Sequence, residues 1–160
     1  MLPATALEPV AEKLELDVTY AARRPWVPRR AQFALWAGAA LFESASSNVL
    51  SVHVVGAARS RGLNAHYRHK NNPTNVLSFG GAGRSPDGLH YLGELVICAP
   101  VVAREAKLQG KSPESHWAHM TVHGVLHLLG FDHERRAEAK KMAAREVQIL
   151  DRLGFSDPYV

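Results

Sequence analysis

Three histidines carry the most specific chemistry in this sequence. In His123-Gly124-Val125-Leu126-His127-Leu128-Leu129-Gly130-Phe131-Asp132-His133 the first two stand four residues apart and the third follows a glycine. On a helix such a pair lies one turn apart on the same face, so both imidazoles can reach one ion. Gly130 can take the left-handed conformation that ends a helix, turning the chain so that His133 returns to the same point. Three neutral nitrogen ligands with an open fourth position are the donor set of a catalytic zinc ion. A lone His on an apolar helix face is usually a packed or surface residue, whereas three at this spacing point to a metal, one ion per chain. Zn2+ is the expected ion, although three imidazoles also suit nickel or copper.

The same spacing occurs in the long zinc-protease motif, where a glutamate follows the first His and acts as general base. Here that residue is Gly124, so a conventional peptidase lacks its base. A doubly charged ion held by uncharged ligands keeps its full charge for an anion and can lower the pKa of bound water to about 7. An anionic phosphodiester suits such a centre better than a neutral peptide. His116 and His119 extend the stripe toward the helix start, in structural or supporting roles. Asp132 is placed either to accept a proton from a ligand imidazole or to form the turn.

The elements that must position these groups follow from periodicity and punctuation. Residues 14–20 alternate apolar and polar and predict a strand, and 30–42 predict a helix entered after Pro28. A strand is expected over 49–55, a short helix over 56–62, and a polar connection over 63–70. Residues 75–79 predict a third strand, 80–88 a flexible glycine-rich loop, and 92–98 a fourth strand. A helix over 100–109 is closed by Gly110. Ser112 and Pro113 cap the histidine-bearing helix, which runs to Leu129. The last helix spans about 134–153 with Ala139, Ala143, Val147 and Leu150 on one face, the other face being charged. Trp117, Met120, Leu126 and Leu129 are read as core.

Composition bounds the alternatives. The 160 residues, 46% apolar and 21% charged, suit one globular domain over 1–160. Cys98 is alone, which excludes an internal disulfide framework and Cys-rich zinc fingers. The first eight residues lack a basic segment, and the most apolar window, 33–42, is about half the roughly 20 residues of a membrane span. A cytoplasmic protein without a membrane partner is expected. The net charge of +4 lies wholly in residues 1–80, and residues 44–86 contain no Asp or Glu, yet hold Arg59, Arg61, Arg68, Lys70 and Arg84. Cations without compensating carboxylates attract polyanions such as RNA.

Taken together, His116-Trp117-Ala118-His119-Met120, His123-Gly124 and Leu126-His127-Leu128-Leu129-Gly130-Phe131-Asp132-His133 resemble the YbeY-type endoribonucleases, bacterial ribosomal RNA maturation factors. Leu63-Asn64, Tyr67-Arg68, Pro73-Thr74-Asn75-Val76-Leu77-Ser78-Phe79, Leu92-Gly93-Glu94-Leu95-Val96-Ile97 and Leu153-Gly154-Phe155 extend the likeness over roughly residues 50–155. It implies a zinc-dependent, single-strand-specific endoribonuclease in 16S ribosomal RNA 3′ end maturation and ribosome quality control. It implies His123, His127 and His133 as ligands, with Arg68 and His123 in the catalytic site. The implied partners are ribosomal RNA and the small subunit, with an assembly GTPase and a small-subunit ribosomal protein. Asn71 stands where the family usually has Asp, and Phe131 where Tyr is common.

The expected fold is α+β: a mixed sheet of about four strands with one antiparallel edge, packed against helices, one of them zincin-like and histidine-bearing. RNA would be held by Arg68 with Arg59 and Lys70, whose guanidinium and ammonium groups match phosphate. His119 and Asp132 would support the ligands. The general base stays open among water on the ion, His119 and a carboxylate such as Glu94. Two other readings are a non-catalytic ribosome assembly factor with a structural metal and a metalloprotease-like hydrolase with a displaced base.

Overall fold

The computed structural model describes residues 14–44 and 46–160. Within them four strands form one sheet, β1 (Leu14–Tyr20), β2 (Ser47–Val55), β3 (Val76–Arg84) and β4 (Leu89–Cys98), in the order β1-β2-β4-β3. Strands β1, β2 and β4 are parallel, and β3 pairs antiparallel with β4 at one edge. Five helices accompany it: α1 (Arg30–Ala40), α2 (Ala57–Arg68), α3 (Ala99–Gln109), α4 (Pro113–Leu128) and α5 (Arg136–Arg152). This is the expected α+β arrangement, including the antiparallel edge strand. No described helix is long and apolar enough to cross a membrane.

Strand alternation divides the core. Leu50, Val52 and Val54 of β2 and Leu95 and Ile97 of β4 face α1, α4 and α5, where Phe33, Trp36, Trp117, Val125 and Leu126 are fully or almost fully buried. Phe33 meets Trp36 and Trp117 edge-on at 6.0 and 5.9 Å between ring centres, a favoured aromatic geometry. The opposite residues, Val55, Leu77, Val96 and Cys98, form a smaller cluster with Val101 of α3, and Leu63 of α2 packs on it. Cys98 is buried and is a free thiol among the described residues. The first face is thickly covered. The second carries α2 over part of its width, with Val101 of α3 beside it.

Three local expectations change. The polar segment 63–70 is helical, continuing α2 to Arg68. Its polar residues look like a loop because this helix buries hydrogen bonds instead of an apolar stripe. Ser60 Oγ donates to the Thr74 carbonyl at 3.1 Å and accepts from the Thr74 amide at 3.0 Å, and Asn64 Nδ2 donates to the Asn72 carbonyl at 2.8 Å. The glycine-rich segment 80–88 continues β3 to Arg84 and turns into β4, so strands replace much of the expected loop. A bulge lies between Gly80 and Gly83, and a Cβ on Gly81 or Gly93 would collide with the neighbouring strand's carbonyl. These glycines permit close approach of two backbones. In α5 the buried stripe is Met142, Glu146, Ile149 and Leu150, rotated from the alanine face read in the sequence.

Candidate metal centre

Helix α4 begins with Ser112, whose hydroxyl accepts from the Ser115 amide at 3.1 Å, and with Pro113 in the first turn. Its middle lies directly on the sheet at Gly124. A Cβ there would stand 2.7 Å from Leu95 Cδ2 and 3.3 Å from Val76 Cγ2, and Ser78 Oγ donates to the Gly124 carbonyl at 3.2 Å. A side chain at 124 would therefore crowd Leu95 and Val76, which explains a glycine where a protease has its glutamate. Beyond Leu128 the helix stops. Gly130 sits at φ 99° and the Phe131 amide donates back to Leu126 at 3.0 Å. Asp132 Oδ1 then accepts from the amides of His133 at 2.7 Å and Glu134 at 3.1 Å. Its carboxylate shapes the turn and, among the described residues, makes no hydrogen bond to an imidazole, although its charge acts on His127.

That turn brings His133 beside the helix. Ring centres lie 4.8 Å apart for His123 and His127, 4.7 Å for His127 and His133, and 5.6 Å for His123 and His133. One ligating atom from each lies within 4.8 Å of the others. Burial, followed by the like charges of His123 and His133, holds the His127 imidazole below its usual pKa. A neutral ring is the form that ligates.

A carboxylate that sequence reading missed stands behind this cluster. Glu146 of α5 is 1% exposed and accepts from His119 Nε2 at 2.6 Å, from His123 Nδ1 at 3.2 Å and from the Tyr159 hydroxyl at 3.0 Å. Burial pushes its carboxyl up, but the hydrogen bonds and charges of the two histidines outweigh that and hold it at about 2. Burial lowers the His119 pKa despite Glu146, and burial together with Glu146 raises that of Tyr159. With Nδ1 of His123 engaged, Nε2 is the nitrogen left to ligate, the orientation seen when a carboxylate backs a metal-bound imidazole. Three imidazoles, one so oriented and one held neutral, are a donor set that fits Zn2+. The signal for Glu146 lay in its spacing, four after Met142 and three before Ile149, which puts an acid on the apolar stripe.

The histidines border a cleft of about 740 Å³ whose opposite wall includes Arg68, Asn75 and Ser78, and whose rim includes Asp132 and Glu134. Arg68 is the last residue of α2, which ends as His69 takes a left-handed conformation at φ 59°. The Ser60 and Asn64 bonds to Thr74 and Asn72 fix α2 to the segment entering β3, and so fix Arg68 relative to α4.

Other expected residues lie elsewhere. Arg59 is nine positions before Arg68 on α2, about 13 Å along the axis, and borders a different cleft with Glu94. Glu94 pairs in register with Phe79, while the adjacent Ser78 faces α4, so Glu94 points away from the histidines. It therefore cannot serve as their base. Lys70 is exposed beyond the end of α2, outside the lining of the histidine cleft. His119 is buried against Glu146, with its ring centre 6.3 Å from that of His123.

The fold and site define an α+β protein that gathers three imidazoles at the end of one helix, across a cleft from an arginine. A family model described as Endoribonuclease YbeY matches residues 28–154. Two relatives named Endoribonuclease YbeY agree. The one from Nitrosococcus oceani is 46% identical over 148 residues, covering 91% of this chain and 97% of its own. The one from Laribacter hongkongensis is 45% identical over 160 residues, covering 99% and 96%. The chain belongs to the endoribonuclease YbeY family. A solution structure of a Thermotoga maritima protein shares the fold, with a TM-score of 0.58 at 20% identity over 87% of this chain and 89% of that one.

Proposed function

We propose that this protein is a metal-dependent endoribonuclease that cuts single-stranded RNA and acts in 16S ribosomal RNA 3′ end maturation and ribosome quality control. The observation that carries this is the convergence of His123, His127 and His133 with Arg68 on one cleft. The names of the relatives support RNA as substrate. A Zn2+ ion bound there supplies Lewis-acid polarisation of a phosphoryl oxygen or of water. Arg68 holds the scissile phosphate through two parallel N–H donors and stabilises the charge that develops on it. Glu134, a carboxylate on the rim of the same cleft, accepts the proton of the attacking oxygen, water or a ribose 2′-hydroxyl, as the new P–O bond forms and the P–O bond to the leaving ribose oxygen breaks, that oxygen taking a proton from solvent. Glu146 keeps His123 in its ligating tautomer.

Such work places the protein in the cytoplasm with the small ribosomal subunit, an assembly GTPase and a small-subunit ribosomal protein as partners. The test is cleavage of a ribosomal RNA precursor by purified protein with and without chelator, with analysis of the product ends. Loss of cleavage on chelation and its return with Zn2+ are expected. Chelator-insensitive cleavage, or none when metal is replete, would overturn the assignment. A folded His127→Ala protein that still supports ribosome maturation would point instead to a non-catalytic assembly factor.

A further inference from the structure

Edge strand β3 has a cleft on each side. Consecutive residues face opposite ways: Ser78 borders the histidine cleft and Phe79 the other, and at the end of α2 Arg68 borders the first and Tyr67 the second. A polymer held at Arg68 reaches the second cleft by crossing edge strand β3 beside Tyr67. That cleft, about 600 Å³, lies between α2 and the thinly covered face of the sheet. Its size is that of a small-ligand site.

Its lining has three parts that match one nucleotide. Tyr67 is 58% exposed although His66 and Phe79 meet its ring edge-on, ring centres 4.6 and 5.0 Å apart, so part of an aromatic ring stays open to solvent in this cleft. Exposed aromatic surface beside a cation is what unpaired bases stack on. Arg59, on the same helix, has no ion pair among the described residues. On the floor, Glu94 accepts from His53 Nε2 at 2.9 Å through Oε1, leaving Oε2 without a hydrogen bond among the described residues. A carboxylate repels phosphate, so only a base edge with N–H donors can face it while the phosphate stays at the arginine rim. The absence of carboxylates over 44–86 favours the same polarity.

We infer that this second cleft is a nucleotide subsite, taking one unpaired base of the RNA on Tyr67 and Phe79 with its exocyclic amine toward Glu94 and its phosphate toward Arg59. The inference rests on the ribonuclease reading for its polymer. Cytosine, adenine and guanine carry such an amine. Uracil has a carbonyl in place of the amine and only N3–H to donate between two carbonyl oxygens, and is disfavoured.

The test is an NMR titration of the full metal-replete chain with CMP, UMP and ribose 5-phosphate, none of which has a phosphodiester bond to cleave. CMP is expected to shift the amides of His53 and Phe79 and to bind several-fold tighter than UMP or ribose 5-phosphate. Tyr67→Ala should weaken CMP binding about tenfold, within the range of a lost base stack. Arg59→Ala, at an exposed position, decides the matter should Tyr67→Ala fail to fold, and should weaken CMP binding several-fold. Shifts confined to residues near His127 and Arg68, equal binding of ribose 5-phosphate, or binding indifferent to both substitutions would overturn the subsite. CMP bound in this cleft by a protein that cleaves no RNA would leave the subsite standing and remove only the ribonuclease reading.

Discussion

Glu146 accepts a hydrogen bond from His123 Nδ1 at 3.2 Å from a position 1% exposed to solvent, joining the last helix to the first histidine of the cluster. A buried carboxylate is costly unless its lone pairs are filled. Here His119, His123 and the Tyr159 hydroxyl all donate to it.

Replacing Glu146 separates its charge from its shape. Glu146→Gln keeps an acceptor oxygen and should leave the fold intact while weakening Zn2+ binding about 10–100-fold, the effect of losing a supporting group behind a ligand. Glu146→Ala also strands the buried His119 and should lower stability by about 1–3 kcal/mol. Chelator-competition titrations and denaturant unfolding read the two effects. Equal metal affinity in wild type and Glu146→Gln would show that the carboxylate only packs.

Arg68 is exposed at the end of α2, so its removal should change stability by no more than about 0.5 kcal/mol. Under the proposed function its effect belongs to the reaction. Arg68→Ala should lower kcat/KM for RNA about 100-fold, and Arg68→Lys should restore only part, because an ammonium cannot offer the planar pair of donors. Full activity in the lysine variant would mean that charge alone suffices.

Gly124 tests the contact between helix and sheet. An added methyl must displace the tip of Leu95, itself fully buried, at about 1–3 kcal/mol, against roughly 1 kcal/mol gained in helix propensity. Gly124→Ala should therefore be destabilised by about 1 kcal/mol and Gly124→Val by more. An Ala variant more stable than wild type would show that Leu95 moves freely.

A pH dependence follows from Glu105, which accepts from His116 Nε2 at 2.8 Å and Asn75 Nδ2 at 3.1 Å. Burial pushes its carboxyl up, but those bonds win and set it below the ordinary 4.5. A carboxyl with a lowered folded pKa stabilises the protein above its unfolded value and loses that contribution as pH falls through the folded one. Stability should thus decline below about pH 4.5, and Glu105→Gln should flatten that decline while being less stable than wild type at pH 7. Parallel pH profiles for the two proteins, measured by urea unfolding, would contradict it.

The histidine cluster was legible because it is local: a four-residue helical step and a glycine turn are written in eleven consecutive residues. Strand β1 and helices α3 and α4 were legible for the same reason, through alternation, Gly110 and the Ser112-Pro113 cap. The errors came where distant segments meet. Segment 63–70 read as a loop because its polar side chains are satisfied by residues 72–74, and 80–84 read as a loop because its glycines make room for β4.

The sequence by itself determined the three-histidine cluster, the glycine at 124 where a protease has its base and the concentration of positive charge before the site, all consequences of residue type and short spacing. Only the tertiary structure decided which groups support or oppose them. It set Glu146 behind His123 from another helix, and it sent Glu94 and Arg59 to the far side of the sheet. The physical reason is strand parity and helix rotation: one residue's step reverses the face a side chain occupies, and only packing against a partner fixes which face meets the site.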